Sequence, residues 1–358
     1  MENYSISLPS YTIGEKSYEK IDEICTPFGS KAVCIGGKTA ISKVKDLIIK
    51  STKLDILDFV WYGGEASYEN IDMLKNNGKV TEADMIFAIG GGKALDTAKA
   101  LAFTINKPVF TFPTIASNCA GTTAVSIMYN SDGSFKEPFF FPAPAKHCFI
   151  YTPVIAQSPW EYIWAGMGDT YAKYFESEMS SRGEDLVHYH ALGVTTSELC
   201  LYPLLKYGKK ALDDFKAGVN SFEVEQVILS VVVTTGIASI LLTAEHIIDY
   251  NTGLAHAVFY ALTSYPHIEE RHLHGEVVGY GVLILLLVDN NEKMFKQMYA
   301  FNKSVGLPTC LADIEMSTDD LVRLVPMVCA MKDIEHNPYD ITEEMVLEAF
   351  NKLEKYNK

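Results

Sequence analysis

The chain reads as an α/β protein: an amino-terminal Rossmann-like domain built on a parallel sheet, then an all-helical carboxy-terminal domain. Three observations predict this. Short apolar runs alternate with polar helical stretches through the first part of the chain, the pattern of parallel strands joined by crossover helices. Strand signals then stop and long helical patterns take over, which places the boundary between residues 1–155 and 156–358. A length of 358 residues suffices for two domains, each with a core of its own.

The elements follow in order. Ala32–Gly36, Leu54–Tyr62, Met85–Ile89, Val109–Phe112 and His147–Tyr151 read as buried strands. Helices over Ile41–Lys50, Ser67–Asn77 and Lys93–Ala102 connect them. In the second half, helices are expected over Ala172–Met179, Leu186–Tyr207, Val224–Ile248, His274–Val288, Glu292–Val305, Asp319–Met331 and Glu343–Tyr356. Breakers such as Gly306-Leu-Pro308 and Asn337-Pro338 separate several of them. Val227–Ala244 comes nearest to a membrane span. Glu225 and Glu245 bracket it, and Ser230, Thr234, Thr235, Gly236, Ser239 and Thr243 interrupt it, so it reads as a core helix.

Composition narrows the function classes. Thirty Lys and Arg against 45 Asp and Glu leave a formal charge of −15, a field that disfavours nucleic acid and anionic membrane surfaces as partners. The start MENYSISLPSY lacks the basic-then-apolar order of a secretory leader. The seven cysteines, odd in number and without a CxxC pair, point to reduced thiols and a cytoplasmic location.

The strand Met85–Ile89 runs into Gly90, Gly91 and Gly92, and a helical stretch starts at once with Lys93. Such a junction gathers bare backbone N–H groups and the positive end of a helix dipole, a seat for a diphosphate. Glycine lets the phosphate approach closely and permits positive φ. The spacing is neither the usual dinucleotide fingerprint nor the Walker pattern. A cleft between the two domains is the expected place for a small substrate beside a nucleotide.

Three segments of the helical half carry possible metal ligands. Gly166-Met-Gly-Asp169 places a carboxylate at the start of a helix, His256 lies among small apolar residues, and His272 and His274 precede the apolar run Val277–Val288. One oxygen and two imidazole nitrogens suit zinc with an open fourth position. Each residue also has a plainer reading: Asp169 as a helix cap, His256 as a core histidine, His272 and His274 as surface residues.

Taken together, GGGKALDTAK at 90–99, PTIASNCAGTTAVSIMY at 113–129, GMGDTYAKYFE at 166–176, GLAHAV at 253–258 and HGEVVGYG at 274–281 resemble the glycerol dehydrogenase-like branch of the iron-containing alcohol dehydrogenase superfamily. The resemblance covers almost the whole chain. It implies a dehydroquinate synthase-like fold, an NAD(P) cofactor, a small-molecule substrate, homo-oligomeric assembly and one divalent ion held by Asp169, His256 and His274. It further implies that Gly90, Gly91, Gly92 and Lys93 meet the diphosphate, and that Asp96, Thr114, Ser117, Thr123, Val125 and Tyr129 line the rest of the cofactor groove. Iron-dependent members carry a histidine where this chain has Lys173, so the resemblance favours a three-ligand zinc site. Proton movement needs no dedicated base if water reaches the ion; His272 and His267 are candidate relays.

Two departures bear on specificity. Glycerol dehydrogenases of this type place a substrate-contacting aspartate at the position of Cys119, and a thiol is a poor acceptor for a polyol hydroxyl. With Lys173, that replacement resembles a sister group reducing 2-oxo acids (hydroxycarboxylate dehydrogenases), in which Lys173 would supply positive potential for a substrate carboxylate; the other reading of Lys173 is a solvated surface residue. The first strand ends in Gly36-Gly37-Lys38 rather than an acidic residue. Without that acid a 2′-phosphate is not repelled, so Gly37 and Lys38 favour NADP(H), with NAD(H) left open. Two other classes share the scaffold: sugar-phosphate cyclases, for which only Lys173 and Lys136 offer the needed basic groups, and a non-catalytic nucleotide-binding protein.

Overall fold

A computed structural model describes residues 4–247 and 249–358. The chain divides into two compact units: one runs up to Pro159 and takes in Gly218–Asn220, the other comprises Trp160–Ala217 and Ser221–Lys358.

The first unit is a six-stranded, wholly parallel sheet with helices around it. Its strands are β1 (Tyr11–Ile13), β2 (Lys31–Gly36), β3 (Asp55–Trp61), β4 (Met85–Gly90), β5 (Val109–Pro113) and, after the hairpin β6 (Val125–Tyr129) and β7 (Phe135–Phe140), β8 (His147–Ile150). The order across the sheet is β1-β8-β5-β4-β2-β3. All five strands read from the sequence are present. They read clearly because β4 and β8 are buried along their whole length and β2 and β5 nearly so, giving uninterrupted apolar runs. The expected helices form as Lys38–Ser51, Tyr68–Lys75 and Gly92–Thr104; Ser67 caps the second by accepting from the Asn70 amide at 3.3 Å.

From β2 the chain steps outward to β3, then returns to the other side of β2 as β4. That reversal opens a crevice at the carboxyl ends of β2 and β4. Register places Gly36 beside Ile89 and Gly90 beside Pro113, so both glycine-bearing turns lie on this edge. A Cβ at Gly36 would meet the Ile89 carbonyl oxygen at 2.2 Å; glycine is what lets the two strand ends come this close.

The second unit is helical among its described residues, with several boundaries corrected. The helix expected over Ala172–Met179 runs from Trp160 to Ser180, so Asp169 sits mid-helix and not at its start. Gly166 and Gly168 are both helical and buried, and Gly168 lies against the helix that carries Gly275 and Gly279. The run Leu186–Tyr207 breaks into His188–Ser197, a short 3-10 turn and Tyr202–Lys216, the last opening with Pro203 in its first turn. Phe222–Ile228, a π-helical stretch Leu229–Thr234 and Thr235–Leu242 form one long helix. Its expected end, Ile248, lies outside the described residues. By length and composition Phe222–Leu242 could cross a membrane, but 72% of its apolar window is buried in the protein. His274–Val288, Glu292–Val305 and Glu343–Tyr356 form with the expected ends, and Asp319–Met331 shortens to Leu321–Cys329 behind a 3-10 turn.

Candidate metal centre and phosphate turn

In the helical unit, three side chains from three separate elements converge. Asp169 comes from the helix Trp160–Ser180, His256 from Leu254–Leu262 and His274 from the first position of His274–Val288. One ligand atom from each lies within 4.8 Å of the others. Asp169 Oδ1 is 3.5 Å from His256 Nε2 and 3.4 Å from His274 Nε2.

Glycines make this convergence possible. A Cβ at Gly168 would fall 2.0 Å from the Gly275 carbonyl oxygen, and one at Gly275 would fall 2.0 Å from that of Ala165. The two helices therefore touch backbone to backbone beside the ligands, as small residues at crossings permit. Gly281 does the same for the third element, since a Cβ there would meet the Ala255 oxygen at 2.5 Å.

Glu176 orients His256. Its carboxylate is fully buried, with Oε2 2.7 Å from His256 Nδ1 and Oε1 accepting from the Gly253 and His256 amides at 2.9 Å each. This partner fixes Nδ1 as a proton-bearing nitrogen, so Nε2, the nitrogen facing Asp169, is the one available to an ion. Burial works against a charge on His256, but Glu176 and Asp169 outweigh it and lift its pKa to about 10. Burial likewise opposes ionisation of Asp169, yet His256 and His274 hold its carboxyl far below the usual range. The cluster is organised around a positive charge at its centre.

The donor set fits a divalent ion. Metal–ligand bonds of about 2.0–2.1 Å at tetrahedral angles place ligand atoms about 3.3–3.4 Å apart, close to the two separations found here. Those separations are long for charge-assisted hydrogen bonds, which fall at about 2.7–2.9 Å. His274 is 44% exposed along its side chain, so one side of the cluster is open to solvent.

The flanking residues depart from expectation. Lys173 is neither solvated nor free for a substrate anion: it is 6% exposed, and its ammonium donates to the backbone oxygen of Asn251 and, at 2.8 Å, to that residue's Oδ1. The cause is sequence spacing, which puts Lys173 one turn beyond Asp169 on the inward face. His272 pairs through Nδ1 with Glu276 Oε1 at 2.8 Å. Nε2 of both His272 and His267 is buried without a hydrogen-bond partner.

In the sheet unit, Gly90 ends β4 at φ +142° and Gly91 caps the helix Gly92–Thr104 without any side-chain bond. The N-cap residue thus offers the first-turn amides no acceptor of its own. Cβ atoms at Gly91 and Gly92 would press on the side-chain ends of Ile115 and Asn118 at 2.6 and 2.7 Å, so those two side chains would have to shift to admit them, whereas at Gly90 the turn itself calls for glycine. Lys93 reaches across to Glu65 at 2.6 Å and lies 4.9 Å from the Tyr129 ring centroid. Gly37 caps the helix Lys38–Ser51 at the end of β2, and the exposed Lys38 ammonium lies 4.4 Å over the Trp61 ring.

Asp96 and Thr123 are buried rather than set in an open groove, and Val125 is half-buried. Asp96 is buried and pairs with Lys99 at 3.0 Å, and the Lys99 ammonium also donates to Thr123 Oγ1 at 3.2 Å and Val125 O at 2.7 Å. Burial pushes the Asp96 carboxyl upward against the pull of Lys99. These groups brace the hairpin strand β6 against the helix that follows the glycines. Thr114 is buried, its amide donating to the Gly90 oxygen at 3.1 Å. Ser117 and Cys119 are half-buried on the segment between β5 and β6, where the Cys119 oxygen accepts from the Thr122 and Thr123 amides.

Glu176 and Lys99 were not singled out from the sequence. Glu176 lies inside the segment 166–176, seven residues after Asp169; that spacing puts both on one helical face and was the available signal. Lys99, six residues after Lys93, carried none.

A parallel-sheet unit with a glycine turn at its strand ends, a helical unit and a carboxylate–imidazole cluster are the features expected of a dehydrogenase class. Comparison with known proteins agrees. The family described as iron-containing alcohol dehydrogenase matches residues 9–151. The chain is 32% identical over 360 residues to a glycerol dehydrogenase of Thermotoga maritima, covering 97% of this chain and 96% of that one. It is 26% identical to hydroxycarboxylate dehydrogenase A of Escherichia coli, with 91% and 90% covered. Its structure resembles that of a probable glycerol dehydrogenase from Sinorhizobium meliloti, with a TM-score of 0.82, 25% identity and 99% of both chains covered. The chain belongs to the iron-containing alcohol dehydrogenase family, on its glycerol dehydrogenase-like branch, and is an oxidoreductase acting on CH–OH donors.

Proposed function

We propose that the protein moves a hydride between NAD(P) and a small hydroxy or oxo substrate at a single divalent-ion centre. The observation carrying this reading is the pair of 3.4 and 3.5 Å separations among Asp169, His256 and His274, with His256 oriented by the buried Glu176. When bound, the ion polarises the substrate oxygen and the nicotinamide gives or takes the hydride. Asp169, His256 and His274 would hold that ion. Asp169 contributes the one ligand charge, and the two imidazoles are neutral ligands that leave the centre electrophilic. Glu176 keeps His256 in the tautomer that ligation requires. Through the open side by His274, solvent can exchange protons without a dedicated base. In the sheet unit, the amides following Gly91 and the Lys93 ammonium would take the cofactor diphosphate.

Three protein ligands with an open fourth position, Lys173 standing where a fourth ligand would be, favour zinc over iron. Lys38 at the end of β2, with no acid beside it in Gly36-Gly37-Lys38, favours NADP(H). Reduction of a 2-oxo acid is the second reading for the substrate, supported by a thiol at Cys119 where a polyol hydroxyl would want an acceptor. Initial rates on glycerol, 2-hydroxy acids and their oxo forms, with zinc-loaded protein and either cofactor, test the proposal. Turnover abolished by chelation and restored by zinc supports it. Tight nucleotide binding with no turnover on any of these substrates overturns it in favour of a binding protein.

A further inference from the structure

The helix that supplies Asp169 carries two more charged side chains on the same face. Asp169, Lys173 and Glu176 follow one another at i, i+4 and i+7 within Trp160–Ser180. Lys173 is 6% exposed and Glu176 not at all. Charges buried to this degree persist only where hydrogen bonds or opposite charges answer them. Both find their answer on one short stretch of chain, Asn251–His256, which leads into the second ligand.

The two ends of that stretch are gripped with opposite polarity. Lys173 donates to the backbone oxygen and Oδ1 of Asn251. Glu176 accepts from the Gly253 and His256 amides and from His256 Nδ1. The helix Leu254–Leu262 has Gly253 at its N-cap and no side-chain cap of its own chain segment. Its first-turn amides are donors without intrahelical partners, at the end where the helix dipole favours an anion. Glu176 therefore caps this helix from another element. Gly253 makes room for it: a Cβ there would come within 3.3 Å of Glu176 Cγ.

We infer that Lys173 and Glu176 are positioning residues, a cation and an anion clamp that hold Asn251–His256 in its ligand-ready form before any ion arrives. The inference rests on the reading of Asp169, His256 and His274 as ion ligands. One face of one helix thus provides a ligand and also fixes the segment that brings the next. An ion then binds without having to order that segment itself, and the cost of ordering does not weaken its affinity. Lys173 acts on the protein's own carbonyls and not on the charge of the substrate.

The test uses full-length protein and two readouts: backbone hydrogen exchange of peptides spanning Asn251–His256 in metal-free protein, and zinc affinity by competition with a chromophoric chelator. Wild type is compared with Lys173→Met, Lys173→Arg and Glu176→Gln. The expected result is exchange faster by about tenfold or more in Lys173→Met and Glu176→Gln, with zinc affinity about 10–100-fold weaker. Lys173→Arg should recover most of both. At saturating zinc, the ratio of KM for an oxo acid to KM for a polyol should stay within about twofold in Lys173→Met. Wild-type exchange and wild-type zinc affinity in both disruptive variants would overturn the inference. If Glu176→Gln does not fold, the Lys173→Met and Lys173→Arg pair decides it. Failure of wild type to bind zinc would instead refute the metal reading, and the exchange data would still decide the clamp.

Discussion

Replacing Gly275 by Ala should damage the metal centre from outside it. The added Cβ would lie 2.0 Å from the Ala165 carbonyl oxygen and 3.0 Å from Asp169 Cβ. Neither helix can relieve this by turning a side chain, because the obstructing atom is backbone. Restoring ordinary packing requires the helices to separate by about 1 Å. Asp169 and His274 sit on opposite sides of that crossing, so their 3.4 Å separation would open by a comparable amount. Metal sites tolerate about 0.2 Å in ligand distance, and the loss of one well-placed ligand should weaken zinc at least about 100-fold. Overpacking of this kind costs about 1–3 kcal/mol of stability, offset by at most about 1 kcal/mol from the helix preference of Ala over Gly. Zinc competition and urea unfolding read the two effects separately. Gly78→Ala is the control, since a Cβ there meets nothing within 4 Å, and it should bind zinc as wild type does. Zinc affinity in Gly275→Ala within about threefold of wild type would refute the close-approach reasoning.

Two further perturbations address the sheet unit. Glu65→Gln removes the carboxylate that holds Lys93 at 2.6 Å; because the pair is partly exposed the gain is modest, about a few-fold tighter dinucleotide binding by fluorescence titration, and weaker binding would contradict the diphosphate role of Lys93. His147, bonded to Ser10 and Thr12, has its pKa pushed down by burial to about 4 from an ordinary 6.5. Between those values the unfolded chain takes up a proton that the folded protein refuses. The stabilisation is complete above pH 6.5 and is lost as pH falls toward 4, with about 2 kcal/mol gone by pH 5. Urea midpoints for His147→Asn should therefore change less between pH 7 and 5 than those of wild type; parallel losses would rule the histidine out as the cause.

Much of the fold was legible because burial writes itself into sequence. Strands covered on both faces, such as Met85–Gly90 and His147–Ile150, appear as unbroken apolar runs. The three-residue strand Tyr11–Ile13 is too short to carry a pattern. Phe135–Phe140 is largely exposed and contains Pro138, so it lacked both signals of a strand. At the site, the ligand trio could be named from segments and their order, but their convergence depends on Gly168 and Gly275, whose local preference is to break helices. Only tertiary contact turns those glycines into a close crossing. For the same reason Lys173 read as a surface or substrate-facing cation, since its partner Asn251 lies 78 residues away. The resemblance placed Asp96 along the cofactor groove, whereas it is buried in a pair with Lys99.

Anomalous diffraction at the zinc edge from crystals of zinc-loaded protein addresses the core of this account. The expected map has a single strong peak bonded to Asp169, His256 and His274, with Glu176 still on His256 Nδ1. No peak among those three side chains, or a stronger one elsewhere, would contradict it.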